Sequence, residues 1–188
     1  QGGETLHVVV RFSRAFRVAR RDAAGTLELT FDPHIKPLEF GLALSTVGIN
    51  GARANLGQYN LPDFGNTQRI ARDTWDGYLG RIDISGSEAL RQRTDTALYR
   101  LFTRYGDITD TDGQYRAAND ALRRVVPGEA YLGNLLPEEN IRTVIPMLSL
   151  LAPRQMEQLF ATIMAHQRAT GVLPHRTVWG RSRSSQAL

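Results

Sequence analysis

Ser87 to Tyr105 reads SEALRQRTDTALYRLFTRY, and this stretch decides the fold class. Leu90, Ala97, Leu98, Leu101, Phe102 and Tyr105 recur at the three- and four-residue spacing that gathers apolar side chains on one face of a helix. Ser87 stands where an N-cap hydroxyl accepts from the first free backbone N–H groups, and most arginines fall outside the stripe. The stretch therefore predicts an amphipathic helix whose apolar face needs a neighbour. Just upstream, NTQRIARDTWDGYLGRI (66–82) lines up Ile70, Ala71, Trp75, Tyr78, Leu79 and Ile82, with Asn66 or Thr67 as the cap. Gly77 and Gly80 weaken the end of that helix. Downstream, Pro137 opens a predicted helix with Glu138 and Glu139 at its positive end, ahead of Ile141, Val144, Ile145 and Leu148. Pro153 opens another, in which Met156, Leu159, Phe160 and Ile163 face one way until Gly171 stops it. The short LLAP joint between the two favours an antiparallel pair.

The first third has a different period. TLHVVVRF (5–12), TLELTF (26–31) and FGLALSTVGI (40–49) read as strands, and RRDAAGT (20–26) supplies a turn through Gly25. Three strands alone leave open edges and an uncovered face, so partners are expected elsewhere. ARANLGQYNLPDFGN (52–66) reads as an irregular connector, with Gly57, Pro62 and Gly65 limiting regular structure, and RIDISGS (81–87) as a short strand and turn. The fold class is α+β, with strands first and helices after.

Composition excludes several chemistries. The 188 residues are 41% hydrophobic, enough for a packed core, and contain no cysteine, hence no disulfide and no thiol nucleophile or ligand. His7, His34, His166 and His175 lie far apart and form no local zinc pattern. His166, near a helix C-terminus, reads as a capping or surface residue. The net charge is +4, but Lys36 is the only lysine and the arginines are spread out among aspartates. That pattern describes a mixed solvated surface and not a groove that tracks phosphates, so a nucleic-acid partner rests on charge alone. No run of eighteen apolar residues appears, and no GxSxG, HExxH or GxxxxGK[ST]. Glu138 and Glu139 are adjacent on a predicted helix and point about 100° apart, which suits helix stabilisation better than paired acid-base work. The opening QGG, without a methionine, fits a segment cut from a longer protein.

Two loops carry binding chemistry. DITDTDGQYRAAN (107–119) fails as an EF-hand, because Gly113 at the sixth position puts Ile108 first and Asn119 twelfth. A turn dense in acceptors remains, from Asp110, Asp112 and the Gly113 backbone, followed by Tyr115 and Arg116. Such residues form ordinary turns, and they also hydrogen-bond and stack on polyhydroxylated ligands. In LPHRTVWG (173–180), His175 and Trp179 follow a helix end, and an indole face suits the apolar side of a pyranose ring or a gap in a core.

Read together, SEALRQRTDTALY, ALYRLF and ITDTDGQYR resemble the exo-acting α-mannosidases of glycoside hydrolase family 92. STVGINGARANLG (45–57) resembles that family's passage leaving its sandwich domain, and TWDGYLGRIDISG (74–86) its connecting helix and short strand. The resemblance runs from about Phe40 to Trp179. It implies residues 1–50 as the end of an N-terminal β-sandwich and 51–86 as a linker with a connecting helix and short strand. Residues 87–188 are then the first helices of an incomplete (α/α)6 toroid. It implies calcium-dependent, inverting removal of terminal α-linked mannose by the intact enzyme, in an extracellular or periplasmic setting. The family's acid and base lie further toward the C-terminus, so no catalytic and no metal-ligating residue is assigned here, and the fragment itself is expected to be inactive. Its partners would be a mannose-containing glycan and the missing C-terminal toroid or another chain.

The substrate-binding candidates are Glu139, Trp179, His175 and Asp112. Glu138, Glu139 and Asn140 stand where the family carries a tryptophan-aspartate-threonine triplet, so Glu139 keeps the charge one methylene further out and the ring at Glu138 is missing. Where the family continues from a WLP-like segment to a glycine-asparagine-glutamate motif, this chain has VLPHRTVWGRSRSSQAL. These departures motivate the alternative reading, a non-catalytic binding or structural protein on the same scaffold.

Overall fold

Strand-forming and helix-forming segments separate along the chain as their hydrophobic periods require. The computed structural model describes residues 5–33, 37–57, 63–135 and 142–182. β1 (His7–Phe12) pairs antiparallel with β4 (Phe40–Ser45), His7 opposite Ser45 and Phe12 opposite Phe40. β2 (Phe16–Arg21) pairs antiparallel with β3 (Leu27–Phe31), with an irregularity between Val18 and Arg20. β2 is absent from the three-strand expectation. The 22–26 turn therefore joins β2 to β3 and not β1 to β3, and Asp22 Oδ1 accepts from the Thr26 N–H at 2.8 Å. The ring of Phe12 meets those of Phe16 and Phe31 edge-on at 5.4 and 5.2 Å, tying the two ladders together through aromatic contacts.

The expected strand end at 46–49 and the expected connector after it are both corrected. α1 (Ile49–Gly57) is a helix lying on β1 and β4, with Ala52 and Leu56 buried. α2 (Phe64–Leu79) is capped by Asp63, whose carboxylate accepts from the Asn66 N–H at 2.9 Å, in place of Asn66 or Thr67. No strand forms over 81–87. α3 (Glu88–Phe102) begins where expected, with Ser87 Oγ accepting from Leu90 N–H at 3.3 Å. Of its stripe, Leu98, Phe102 and the following Tyr105 are buried, whereas Leu90 and Ala97 stay exposed.

A short hairpin follows, β5 (Gln114–Arg116) with β6 (Leu122–Arg124), and then α4 (Val144–Leu151) and α5 (Pro153–Thr170), separated by Ala152 alone. Gly171 takes the left-handed conformation at φ 81° and ends α5, as its position predicts. The expected Pro137 helix start falls outside the described residues. The main core joins Leu98, Phe102 and Tyr105 to Leu132, Leu135, Leu148, Met156 and Leu159, with Trp75, Tyr78 and Ile82 packed against it. Phe160 is exposed, one helical step round from Leu159, and His166 is fully buried and not a surface cap. Burial holds the His166 imidazole below its ordinary pKa. β7 (Thr177–Val178) and β8 (Arg181–Ser182) close the described chain as a two-residue hairpin.

A joint between the N-terminal strands and the acidic turn

Asp110 is the centre of the candidate site. Its carboxylate is buried, although the turn around it is rich in exposed polar groups. Oδ2 accepts from the Ser45 hydroxyl at 2.7 Å, and Oδ1 accepts from Asn55 Nδ2 at 2.7 Å. Ser45 Oγ in turn accepts from the Val47 and Gly48 N–H groups at 3.0 and 3.2 Å. Asn55 donates to Leu44 O at 2.8 Å and accepts from the Thr111 N–H at 2.9 Å. Both carboxylate oxygens thus join the end of β4 and the middle of α1 to a turn more than fifty residues away. A charged acceptor in a dry place needs such partners, because leaving it unpaired costs several kcal/mol in typical cases. Arg116 adds a second fastening, donating from Nε to Thr46 O at 2.8 Å and from Nη2 to Val47 O at 3.0 Å.

The turn itself follows from its sequence. Gly113 adopts φ 84°, its N–H donates to Asp110 O at 2.8 Å, and Asp112 Oδ1 accepts from the Gln114 N–H at 2.9 Å. The Tyr115 ring stacks on Tyr131 at 4.0 Å between centroids. Burial, with Tyr115 beside it, pushes the Tyr131 hydroxyl up to about 12. The Gln114 backbone N–H holds the Asp112 carboxyl below the usual aspartate range, and Arg124 at 3.6 Å adds to this. Because the folded-state value lies below the unfolded one, ionised Asp112 stabilises the fold above the unfolded-state pKa, and this contribution disappears as pH falls through the folded-state value. Asp112→Asn is therefore expected to be slightly less stable than the unaltered chain at pH 7, the deficit shrinking in acid. Urea unfolding at pH 7 and near pH 3 checks this, and a deficit that grows in acid would contradict it.

Trp179 occupies the tip of the β7–β8 hairpin with φ 50°, followed by Gly180 at φ 85°. Two successive left-handed residues are what a type I′ turn in a two-residue hairpin requires. The strand before the tip is clipped at Thr177, whose N–H donates to Leu135 O at 2.9 Å while its hydroxyl accepts from Leu135 N–H at 2.8 Å. Trp179 N–H donates to Asn134 Oδ1 at 3.3 Å.

Two cavities flank the 107–111 segment. A cleft of about 610 Å³ is bordered by Asp112, Arg124, Glu129 and the 125–128 loop, and a cavity of about 170 Å³ by Trp179, Thr46, Leu6 and Leu44. Asn55, Asp107, Thr109 and Asp110 line both. The structure thus sets Asp112 and Trp179 on neighbouring cavities that share a wall. His175 is exposed in the loop after α5 and lines neither cavity, and Glu139 lies outside the described residues. Asn55, Asp107 and Thr109 were not singled out from the sequence. Asp107 opens the acidic run, and its position there was the one available signal. Among the described residues no group of three or more His, Cys, Asp or Glu could hold a metal ion.

Three comparisons bear on this geometry. The glycosyl hydrolase family 92 catalytic domain profile matches residues 51–187. A family GH92 α-mannosidase from Bacteroides thetaiotaomicron superposes with a TM-score of 0.80 at 17% identity, covering 94% of this chain and 27% of that one. The same protein in complex with mannoimidazole gives a TM-score of 0.81 at 16% identity, over 96% and 27% of the two chains. An inverting GH92 mannosidase from the same organism gives a TM-score of 0.77 at 20% identity, over 96% and 27%. These likenesses identify the fold as antiparallel strands followed by part of a toroid of helices. The chain spans about 27% of the length of these relatives. No curated protein sequence matches it.

Proposed function

Because this chain belongs to glycosyl hydrolase family 92, its catalytic-domain profile covering residues 51–187, we propose that it supplies the early toroid and part of the substrate wall of an exo-acting α-mannosidase. The observation that supports this reading is the Asp110 joint. Two segments distant in sequence, both within the resemblance to the family, meet through Asn55 and Asp110 and form the shared wall of the cavities bearing Asp112 and Trp179. Carboxylate, hydroxyl and indole surfaces at such a place suit a sugar, whose hydroxyl groups need acceptors and whose C–H face needs an apolar plate. Asp112 and Trp179 are proposed as glycan contacts. His175 and Glu139 are retained as candidates at the helix-end loop and at the family's aspartate position.

In the intact enzyme, inversion needs one carboxylic acid to protonate the departing oxygen and a carboxylate base to activate water on the opposite face, the two typically about 6.5–9.5 Å apart. We assign neither to these residues. Residues 1–50 are proposed as the end of the sandwich, 51–86 as the connection and 87–188 as the first toroid helices. Calcium dependence and an extracellular or periplasmic setting belong to the same proposal. No helix among the described residues is long and apolar enough to cross a membrane.

The 188 residues are expected to show no turnover of 4-nitrophenyl α-mannoside, while a longer chain carrying the rest of the toroid turns it over and releases β-mannose first. Proton NMR of the released sugar checks the stereochemistry. Turnover by the repurified 188-residue chain would overturn the assignment of the acid and base elsewhere. An inactive longer chain that still binds mannosides would favour the non-catalytic alternative.

A further inference from the structure

Asp107 lines both cavities of the site, and also a third one of about 550 Å³ beside Tyr105, Ala152 and Gln155. It is exposed, and its position is fixed from two sides. Oδ1 accepts from the Thr109 N–H at 2.8 Å, and its backbone bridges to Leu132 in the core. Oδ2 makes no hydrogen bond among the described residues. The next group along the wall is the Thr109 hydroxyl, which accepts from the Tyr131 N–H at 2.7 Å and so keeps its own proton available to donate. In the smaller cavity Trp179, half-buried, shares the lining with Asp107 and Thr109 on a turn that sets its backbone angle. Thr46, also in that wall, is buried and its hydroxyl has no hydrogen-bond partner, so the wall carries a polar group that folding alone does not satisfy.

We propose that the cavity between Trp179 and Asp107 is a subsite for one neutral pyranose ring, with the Asp107 carboxylate accepting from ring hydroxyls, Thr109 donating, and the indole covering the apolar face. The inference rests on the mannoside reading above and deepens it, because it names a subsite and an anchoring carboxylate that neither the sequence pattern nor the family match assigns. A volume of about 170 Å³ can hold one sugar ring, and the shared wall leads from it to the larger cleft beside Asp112. A carboxylate with one oxygen spoken for and one turned to no protein donor can accept from a pair of adjacent hydroxyls, which is stronger than the same contact to a neutral amide.

The test uses the unaltered 188-residue chain, its Asp107→Asn variant and its Trp179→Phe variant, with methyl α-D-mannopyranoside as probe. Binding is followed by saturation-transfer NMR and by tryptophan fluorescence. Asp107→Asn keeps an oxygen for the Thr109 N–H, so its thermal midpoint should match that of the unaltered chain. Its affinity should fall about tenfold or more, the effect of losing a charge-assisted hydrogen bond. Trp179→Phe should abolish the saturable fluorescence change while weakening binding only severalfold. Binding seen by NMR with no loss in Asp107→Asn places the sugar elsewhere and overturns this inference while leaving the mannoside reading intact. No binding by the unaltered chain overturns this inference, and the mannoside reading falls with it only if a longer chain carrying the rest of the toroid also fails to bind the probe.

Discussion

Gly51→Ala is expected to destabilise the protein by about 3 kcal/mol or more, a large fraction of what a domain of this size has to lose. A methyl group built on Gly51 would stand 2.0 Å from Asp110 Oδ2, 2.7 Å from Ser45 Oγ and 2.9 Å from Asp110 Cγ. No rotamer of alanine relieves this, because Cβ is fixed by the backbone of α1. Either α1 shifts off β4 or the buried carboxylate is pushed out of reach of Ser45 and Asn55. The first route costs packing at Ala52 and Leu56, and the second strands a buried charge. Gly57, at the other end of the same helix, has nothing within 4 Å of its missing Cβ. Gly57→Ala should therefore be neutral or slightly stabilising, by a few tenths to about 1 kcal/mol, since alanine costs less backbone entropy in a helix. Urea unfolding of the two variants side by side separates crowding from propensity. If Gly51→Ala unfolds at the same urea concentration as the unaltered chain, the joint is not close-packed.

That contrast explains why α1 was not legible. Gly57, Pro62 and Gly65 argue locally for a connector, and by propensity Gly51 weakens a helix as well. At Gly51 the reason is tertiary, a carboxylate arriving from residue 110, and no local period encodes it. α3 was legible for the opposite reason. Ser87 and the Leu98–Phe102 face are local, and a helix of that length with a cap and a stripe has few alternatives. β2 was lost because Arg17, Arg20 and Arg21 made FRVARR look like part of a polar turn, although Phe16 and Val18 alternate as a strand should. His166 could have been recovered from its register, since it lies on the face of α5 that buries Leu159 and Thr162. Of the candidate site, the residue types at Asp112 and Trp179 were legible as binding chemistry. Their placement on adjoining cavities depends on Ser45 and Asn55 reaching Asp110, and on the Thr177–Leu135 clip, contacts between segments forty to sixty-five residues apart.

Asp110→Ala is the second large effect, and it becomes most informative when combined with the first. Removing the carboxylate leaves the Ser45 hydroxyl and one Asn55 N–H facing a small buried void, at an expected cost of about 2–4 kcal/mol. It also removes two of the three atoms that forbid a side chain at residue 51. In the Asp110→Ala background, Gly51→Ala should cost about 1 kcal/mol or less, the remainder being Ser45 Oγ at 2.7 Å. The double-mutant cycle should then show a coupling of about 2 kcal/mol in the direction of rescue, well outside the few tenths expected of independent sites. Additive costs would mean that Gly51 is required for a reason other than Asp110. The cycle has a functional arm too, because Asn55 and Asp110 form the shared wall of both cavities. If the joint positions that wall, Asp110→Ala and the double variant bind methyl α-D-mannopyranoside equally weakly, since the methyl group on residue 51 fills space without replacing the hydrogen bonds from Ser45 and Asn55 that hold residues 107–112 in place. Recovery of affinity in the double variant would mean that the wall needs only to be filled, and that the hydrogen bonds serve the fold and not the site.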